Sequence, residues 1–306
     1  MHVYFLGTGA GVPAKQRNVQ SIALTLYQER GSFWLFDCGE ATQHQVLSAP
    51  LKLSKWEKLF VTHLHGDHIF GIPGMLSSRS MQSESKPLTI YGPPGIDDFV
   101  KTALKISQTH LTYPIDIVEV EPGLAFYDGY LRVTAARLDH AVESFGYRIE
   151  EMPKTGALRV DLLKAAGVPK GPLYGQLKRG ETVKLPDGRL IQPDSVMDPH
   201  VPGRVVTILG DTRPCPAAVT LAAKANLLVH EATFADSEQE LAQKYGHSTS
   251  TQAARIAREA GVKQLVLTHI SSRYQGQSAA QLLEEARVVF QNTELAEDFF
   301  EVEVPS

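Results

Sequence analysis

The sequence predicts an α/β protein with mixed sheets, on two observations. Strand-like and helix-like runs alternate along the 306 residues in two halves, one ending near residue 150 and the other starting near 204. Titratable side chains also fall, again and again, just after apolar strand-like runs, the edge at which open α/β sheets bind ligands. A chain of this length can bury a sizeable core in one large domain, or in one domain plus an insertion.

In the first half the apolar runs predict strands at 3–6, 21–27, 33–36, 58–62, 88–91, 115–120, 131–136 and 146–150, with a helix at 95–107. In the second half strands are predicted at 205–209, 227–230 and 264–268, with helices at 216–225, 250–260 and 278–290. Thr249-Ser250-Thr251 supplies capping hydroxyls for the helix at 250–260. Between the halves, residues 152–203 are a different kind of sequence. They are rich in Pro and Gly, with one short helix candidate at 158–166. The expected organisation is therefore one domain over 1–306 carrying an inserted arm at 152–203.

The densest chemistry is His63-Leu64-His65-Gly66-Asp67-His68, directly after the apolar run Lys58-Leu59-Phe60-Val61-Thr62. His63 and His65 are two apart, so at an extended strand end they point the same way. Gly66 permits a sharp reversal that brings Asp67 and His68 back toward the same point. Neutral imidazole and carboxylate are the ligands zinc favours, and such density at a strand end has no packing purpose. Four ligands in one short loop suit two neighbouring ions better than one. Later strand ends offer the rest: His140 after 131–136, Asp211 after 205–209 and His269 after 264–268.

This order of ligands resembles the metallo-β-lactamase superfamily of metallohydrolases. Phe5-Leu6-Gly7-Thr8-Gly9-Ala10-Gly11, Pro13-Ala14-Lys15-Gln16-Arg17-Asn18, Phe36-Asp37-Cys38-Gly39-Glu40-Ala41-Thr42-Gln43 and His230-Glu231-Ala232-Thr233-Phe234 resemble one branch of it, ribonuclease Z, the transfer-RNA 3′-processing endonuclease. The likeness runs in order over nearly the whole chain, at the length of the family's short form. It implies a four-layer αββα sandwich, a homodimer, and a flexible transfer-RNA-binding arm at the Gly-Pro insertion.

On that footing His63, His65 and His140 are expected to hold one ion and Asp67, His68 and His269 the other, with Asp211 between them. Two Zn²⁺ per chain are expected, although Mn²⁺ or Fe²⁺ suits the same ligands. The paired ions would lower the pKa of the attacking water, and Asp67 could orient it or accept its proton. A sugar oxygen leaves poorly without a proton, so a general acid is needed. His247 is the candidate, with Glu231 to orient it. Asp37 is read as an organiser of the metal loops and His230 as structural. Arg273, Lys15 and Arg17 are candidate phosphate contacts, and Ser77-Ser78-Arg79-Ser80 could add polar contacts near the cleft. His2, His44, His110 and His200 have no partner pattern.

Composition bounds the substrate. The net charge is −4, against a protein that coats nucleic acid generally, so an RNA must meet a local patch. Between 154 and 180 stand Lys154, Arg159, Lys164, Lys170, Lys178 and Arg179 against the single acid Asp161. Lys154, Lys170, Lys178 and Arg179 are the arm's candidate RNA contacts. Gly7-x-Gly9-x-Gly11 lacks the P-loop Lys-Ser/Thr and does not indicate nucleotide-cofactor binding. No apolar stretch approaches the roughly 20 residues that span a bilayer, so no membrane partner is expected, and the start of the chain does not read as a signal peptide. The two cysteines, Cys38 and Cys215, lie far apart and fit a reducing cytoplasm. The leading expectation is a metal-dependent endoribonuclease that cuts precursor transfer RNA after the discriminator base, leaving a 3′-hydroxyl on the transfer RNA and a 5′-phosphate on the trailer. The alternatives are a small-molecule phosphodiesterase or other hydrolase of the same fold, which has no need of a basic arm, and a non-catalytic RNA-binding or metal-sensing protein, which has no need of His247 and Glu231.

Overall fold

A computed structural model describes residues 1–82 and 85–305. Two compact units emerge, Met1–Glu150 with Arg204–Ser306, and Glu151–Gly203.

The larger unit is built on two seven-stranded sheets. Across the first, the strands run in the order Glu301–Glu303, His2–Gly7, Ser21–Leu26, Ser32–Phe36, Trp56–Phe60, Leu88–Gly92 and Ile115–Glu119. Across the second they run Thr293–Leu295, Gln264–Thr268, Leu227–Glu231, Val205–Leu209, Phe145–Glu151, Leu131–Arg137 and Gly123–Tyr127. Both are mixed. Ser32–Phe36 through Ile115–Glu119 pair in parallel, as do Val205–Leu209 through Thr293–Leu295, whereas His2–Gly7 pairs antiparallel with both its neighbours, as do Ser21–Leu26 with Ser32–Phe36, Phe145–Glu151 with Val205–Leu209 and Gly123–Tyr127 with Leu131–Arg137.

Strand alternation sorts the core into layers. Phe5, Leu24, Trp34, Phe36 and Phe60 of the first sheet meet Val133, Tyr147, Ile149, Ile208 and Val229 of the second in one buried cluster. The opposite face of the first sheet, including Leu35 and Leu59, packs on the helices Thr42–Leu47, Ile72–Met81 and Ile96–Ile106. Leu228, Leu265 and Leu267 of the second pack on Pro216–Ala222, Ser250–Ala260 and Gln277–Val289. Strands covered on both faces need continuous apolar sequence, which explains the unbroken runs. This is the αββα sandwich. Ser250–Ala260 starts where the hydroxyls predict it: Thr249 accepts from the Gln252 amide in a capping box, and Gly261 at φ 65° ends the helix.

The parallel strands end at the functional edge. Asp37, His63, Asp211 and His269 each follow such an end within three residues. Gly39 is required there, because a Cβ on it would lie 2.2 Å from the Asp67 carbonyl oxygen.

The smaller unit has its own core of Leu163, Val168, Leu177, Val183, Leu185, Ile191 and Val196. Two helices, Val160–Ala165 and Pro172–Lys178, and a two-stranded sheet, Val183–Lys184 with Leu190–Ile191, surround it. The sequence predicts only one helix here. The second begins at Pro172, a residue well suited to a helix N-terminus.

Candidate metal centre

Seven side chains from four chain segments converge at the strand ends. The donor atoms of His63, His65, His140 and Asp211 lie within 4.8 Å of one another, as do those of Asp67, His68 and His269. His63 Nε2 is 3.1 Å from His65 Nδ1, and His140 Nε2 is 3.3 Å from the same atom. His68 Nε2 is 3.2 Å from His269 Nε2, which is 3.3 Å from Asp67 Oδ2. Asp211 Oδ2 stands between the groups, 3.6 Å from His63 Nε2, 3.5 Å from His68 Nε2 and 3.4 Å from His269 Nε2.

These separations fit a cation. Donors about 2.1 Å from a tetrahedral ion lie roughly 3.4 Å apart. The tautomers fit as well. His68 Nδ1 donates to Asp37 Oδ2 at 2.7 Å, and His63 Nδ1 to Thr62 Oγ1 at 3.1 Å. His140 Nδ1 donates to the Gly246 carbonyl at 2.7 Å, and His269 Nδ1 to Thr233 Oγ1 at 3.0 Å. A neutral ring in each of these four hydrogen bonds turns an unprotonated Nε2 into the cluster, the form that ligates a metal. These groups of side chains could hold a metal ion.

Asp37 organises both halves. Its carboxylate accepts from His68, from the Thr62 amide at 2.7 Å and from Thr62 Oγ1 at 2.9 Å, and Thr62 in turn holds His63. Asp37 has φ 59° and His269 φ 56°, left-handed conformations that cost a non-glycine residue energy and persist where the surroundings fix them.

Charge follows the same plan. Burial, then the neighbouring imidazole of His68, holds His63 well below the usual histidine range. Burial alone would raise the Asp211 carboxyl, but the His269, His68 and His63 rings hold it well below its ordinary value.

Beside the cluster, His247 Nδ1 donates to Glu231 Oε1 at 3.0 Å. Glu231 also accepts from the amides of Thr212 and Ser248 at 3.1 Å and, on its other oxygen, from the amide and hydroxyl of Thr233 at 3.1 and 2.7 Å. This fixed anion counts for more than desolvation at His247. Burial would lower the imidazolium, but the Glu231 charge and hydrogen bond push it up to about 9. His247 also groups with Asp211 and His269, its Nδ1 lying 3.8 Å from Asp211 Oδ2. His230 is buried and donates through Nδ1 to the Glu231 carbonyl at 2.7 Å.

Other expected contacts are placed differently. Arg17 is buried, and its Nη1 donates inward to Thr8 Oγ1 at 2.7 Å and the Ala296 carbonyl at 2.5 Å, so its reading as an open phosphate contact is corrected. Lys15 is exposed. Arg273 is half-exposed, paired with Glu238 at 2.8 Å and set over the Phe234 ring. Arg79 does not reach the cleft. It is buried with its guanidinium over the Tyr113 ring, because a cation at that helix end is covered by the sheet-facing core.

In the smaller unit Lys154, Lys170, Lys178 and Arg179 are all exposed. Lys154 pairs with Glu151, Arg159 with Asp161, and Arg179 with Glu181, each at 2.7–2.8 Å. Over the whole unit, eight basic residues face six acidic ones, a smaller excess than the 154–180 window suggests.

Sequence reasoning does not pick out Thr62, Thr233, the Gly246 carbonyl or the Gly11 amide, which donates to Asp67 Oδ2 at 2.8 Å. Thr233 stands inside a recognisable motif. The backbone groups leave no mark on residue type.

Comparison with known proteins bears on this geometry. A family model described as Anti-Pycsar protein Apyc1 matches residues 1–147. The chain is 56% identical over 306 residues to the ribonuclease Z of Limosilactobacillus fermentum, covering 100% of this chain and 99% of that one. It is 55% identical to the ribonuclease Z of Geobacillus kaustophilus, with 100% and 99% covered. Among solved structures, human tRNase Z, short form, superposes over 100% of both chains with a TM-score of 0.74 and 33% identity. The metallo-β-lactamase fold protein YhfI of Bacillus subtilis, at 19% identity and a TM-score of 0.69 over 98% of each chain, supports the fold alone.

Proposed function

This chain belongs to the ribonuclease Z family, and from that premise we propose how its residues divide the work. It is a hydrolytic endonuclease that processes the 3′ end of precursor transfer RNA. In our reading His63, His65 and His140 hold one divalent ion and Asp67, His68 and His269 a second, with Asp211 shared. Two Zn²⁺ suit these donors, as Mn²⁺ or Fe²⁺ would. Such ions supply Lewis acidity at phosphoryl oxygens and bring the pKa of water toward neutrality.

The protein's own groups do the rest. Asp67, its Oδ2 held by the Gly11 amide, orients the attacking water and takes its proton. His247, with Nδ1 committed to Glu231, presents Nε2–H to the departing O3′ of the transfer RNA. Water's oxygen joins phosphorus and the P–O3′ bond breaks, leaving a 3′-hydroxyl on the transfer RNA and a 5′-phosphate on the trailer.

The inserted unit grips the substrate through its own exposed cations. Its exposed ion pairs are weakened by solvent, so a polyanion displaces them at little cost. Lys154, Lys170, Lys178 and Arg179 are its contacts, joined by Lys15 and, on release from Glu238, Arg273. The functional form is a cytoplasmic homodimer, an assignment that fits two free cysteines and the exposed Leu47 and Met81 lining one surface groove. Among the described residues no helix is long and apolar enough to cross a membrane.

The observation that carries this reading is a seven-donor cluster beside an imidazole whose second nitrogen is fixed by a buried carboxylate. The direct test incubates metal-loaded protein with end-labelled precursor transfer RNA and maps both ends. Cleavage one base past the acceptor stem, with the stated end groups, is expected. A 3′-phosphate on the transfer RNA would overturn the proposed chemistry.

A further inference from the structure

A cavity lies at the opposite end of the first sheet from the metal ligands. It measures about 390 Å³ and is lined by Arg30, Ser54, Lys55, Glu57, Arg79 and Lys86 among others. Arg30, Lys55 and Lys86 stand just before the strands Ser32–Phe36, Trp56–Phe60 and Leu88–Gly92, whereas Asp37 and His63 follow the far ends of the first two. A strand of this length spans about 17 Å. A group bound here therefore does not touch the metal centre.

The wall carries charge that the protein does not neutralise. Arg79 is buried, with Nη2 donating to the Lys86 carbonyl at 3.0 Å and the guanidinium lying over the Tyr113 ring. Among the described residues its Nε and Nη1 have no hydrogen-bond partner. Donors withdrawn from water and left unpaired cost free energy, most of all on a charged group. The ring face offsets only part of that cost. The carboxylate in the wall is already engaged. Glu57 accepts from Ser32 and Trp34 at 2.7 and 3.1 Å on one oxygen, and its other oxygen faces Arg30 at 3.1 Å and Lys58 at 3.6 Å. Four cations, Arg30, Lys55, Arg79 and Lys86, thus line the cavity against this one acid.

These features select the occupant. A cation would meet like charge, and an apolar group would leave Arg79 unpaired. Phosphate oxygens accept several hydrogen bonds at once, which suits a guanidinium with two nitrogens open. Arg79 is 1% exposed, so its ligand must enter the cavity, as a small molecule does and a duplex backbone does not. The volume lies within the range of small-ligand sites. We infer that this cavity binds the phosphate group of a small molecule, at a site separate from the metal centre.

The chain's two tryptophans supply the test, because Trp56 lines the cavity and Trp34 donates to Glu57 in its wall. Metal-loaded protein is titrated with inorganic phosphate or adenosine 5′-monophosphate at constant ionic strength, and tryptophan emission is followed. A saturable change is expected with at least one of them. Lys55→Ala and Arg79→Gln should each weaken binding roughly tenfold, the size of one charge-assisted hydrogen bond, while hydrolysing a nitrophenyl phosphodiester like the wild type. Lys55 is exposed, so its variant keeps the test open if Arg79→Gln fails to fold. Tighter binding of the nucleotide would assign the phosphate to a larger molecule, and the reverse order to the free anion; both support the site. No saturable change with either anion, or variants that keep the wild-type affinity, would overturn it.

Discussion

Replacing His247 with alanine separates proton donation from metal binding. Its Nδ1 is held 3.0 Å from Glu231 Oε1, so only Nε2 remains to protonate the leaving oxygen. Loss of a general acid costs about 10²–10⁴-fold, or roughly 3–5 kcal/mol of barrier. The His247 side chain is 15% exposed, so water can enter the vacated space as a weaker donor, placing the expected loss toward about 10²–10³-fold. The assay compares precursor transfer RNA with a nitrophenyl phosphodiester, whose leaving group departs without a proton. Metal content should be unchanged and the nitrophenyl substrate little affected. Glu231→Gln adds a check by pH. An acid acts only while protonated, so the rate should fall as pH rises through the His247 value, pushed up to about 9. Without the Glu231 charge that fall should begin at lower pH, toward the ordinary value of about 6.5. Loss of ions from His247→Ala, equal losses on both substrates, or an unmoved alkaline limb would refute the role and favour His247 as a ligand grouped with Asp211 and His269.

Asp211→Ala removes the oxygen shared by both groups. It should lower metal content from about two ions per chain, measured by elemental analysis, and abolish cleavage. Replacing 152–202 by a short neutral linker is geometrically simple, because a Cβ on Gly203 would sit 1.7 Å from the Glu151 carbonyl oxygen. Precursor binding should weaken, and the slope of log K against log salt should fall by about 0.7–0.9 for each phosphate the unit neutralises in the intact protein. Nitrophenyl hydrolysis should survive. An unchanged salt slope would make the unit a connector. Glu57→Gln tests the network in which Glu57 accepts from Ser32, Trp34 and Arg30 beside the buried Lys58. Burial would raise the Glu57 carboxyl, but those hydrogen bonds and cations lower it. Its contribution is therefore present above about pH 4.3, the unfolded value, and is lost as pH falls through the lower folded value. The variant should lose roughly 1–3 kcal/mol at pH 7 by denaturant melting, with the difference shrinking in acid.

The fold is legible where burial on two faces writes continuous apolar runs. Val205–Leu209 and Gln264–Thr268 fall on the predicted residues. Gly123–Tyr127 escapes sequence reading, because it is an edge strand with Leu124 and Tyr127 exposed, whose neighbour on one side only leaves its pattern weak. Ile72–Met81 escapes it too. Pro73, Gly74 and three serines give little helical signal there, although Ile72, Met75 and Leu76 pack against the first sheet. In that helix tertiary burial overrides local propensity. In the insertion, counting charges only between 154 and 180 leaves out Glu151, Glu181 and Asp198, which the fold of that unit brings onto its cations.

At the candidate metal centre, legibility stops at the groups proposed to touch a cation. Histidine and aspartate at strand ends announce themselves by type, since few other side chains ligate a divalent ion. The groups that aim them need only an oxygen or an amide in the right place. A threonine hydroxyl does this for His63 and His269, a main-chain carbonyl for His140, and a main-chain amide for Asp67. Gly246 shows how such a constraint surfaces indirectly. Its φ is 81° and a Cβ would approach His140 Nδ1 to 2.8 Å, so the residue must be glycine although its working atom is the carbonyl oxygen. That carbonyl fixes His140 while the next residue, His247, reaches the Glu231 carboxylate. One turn therefore positions a proposed ligand and the proposed acid together.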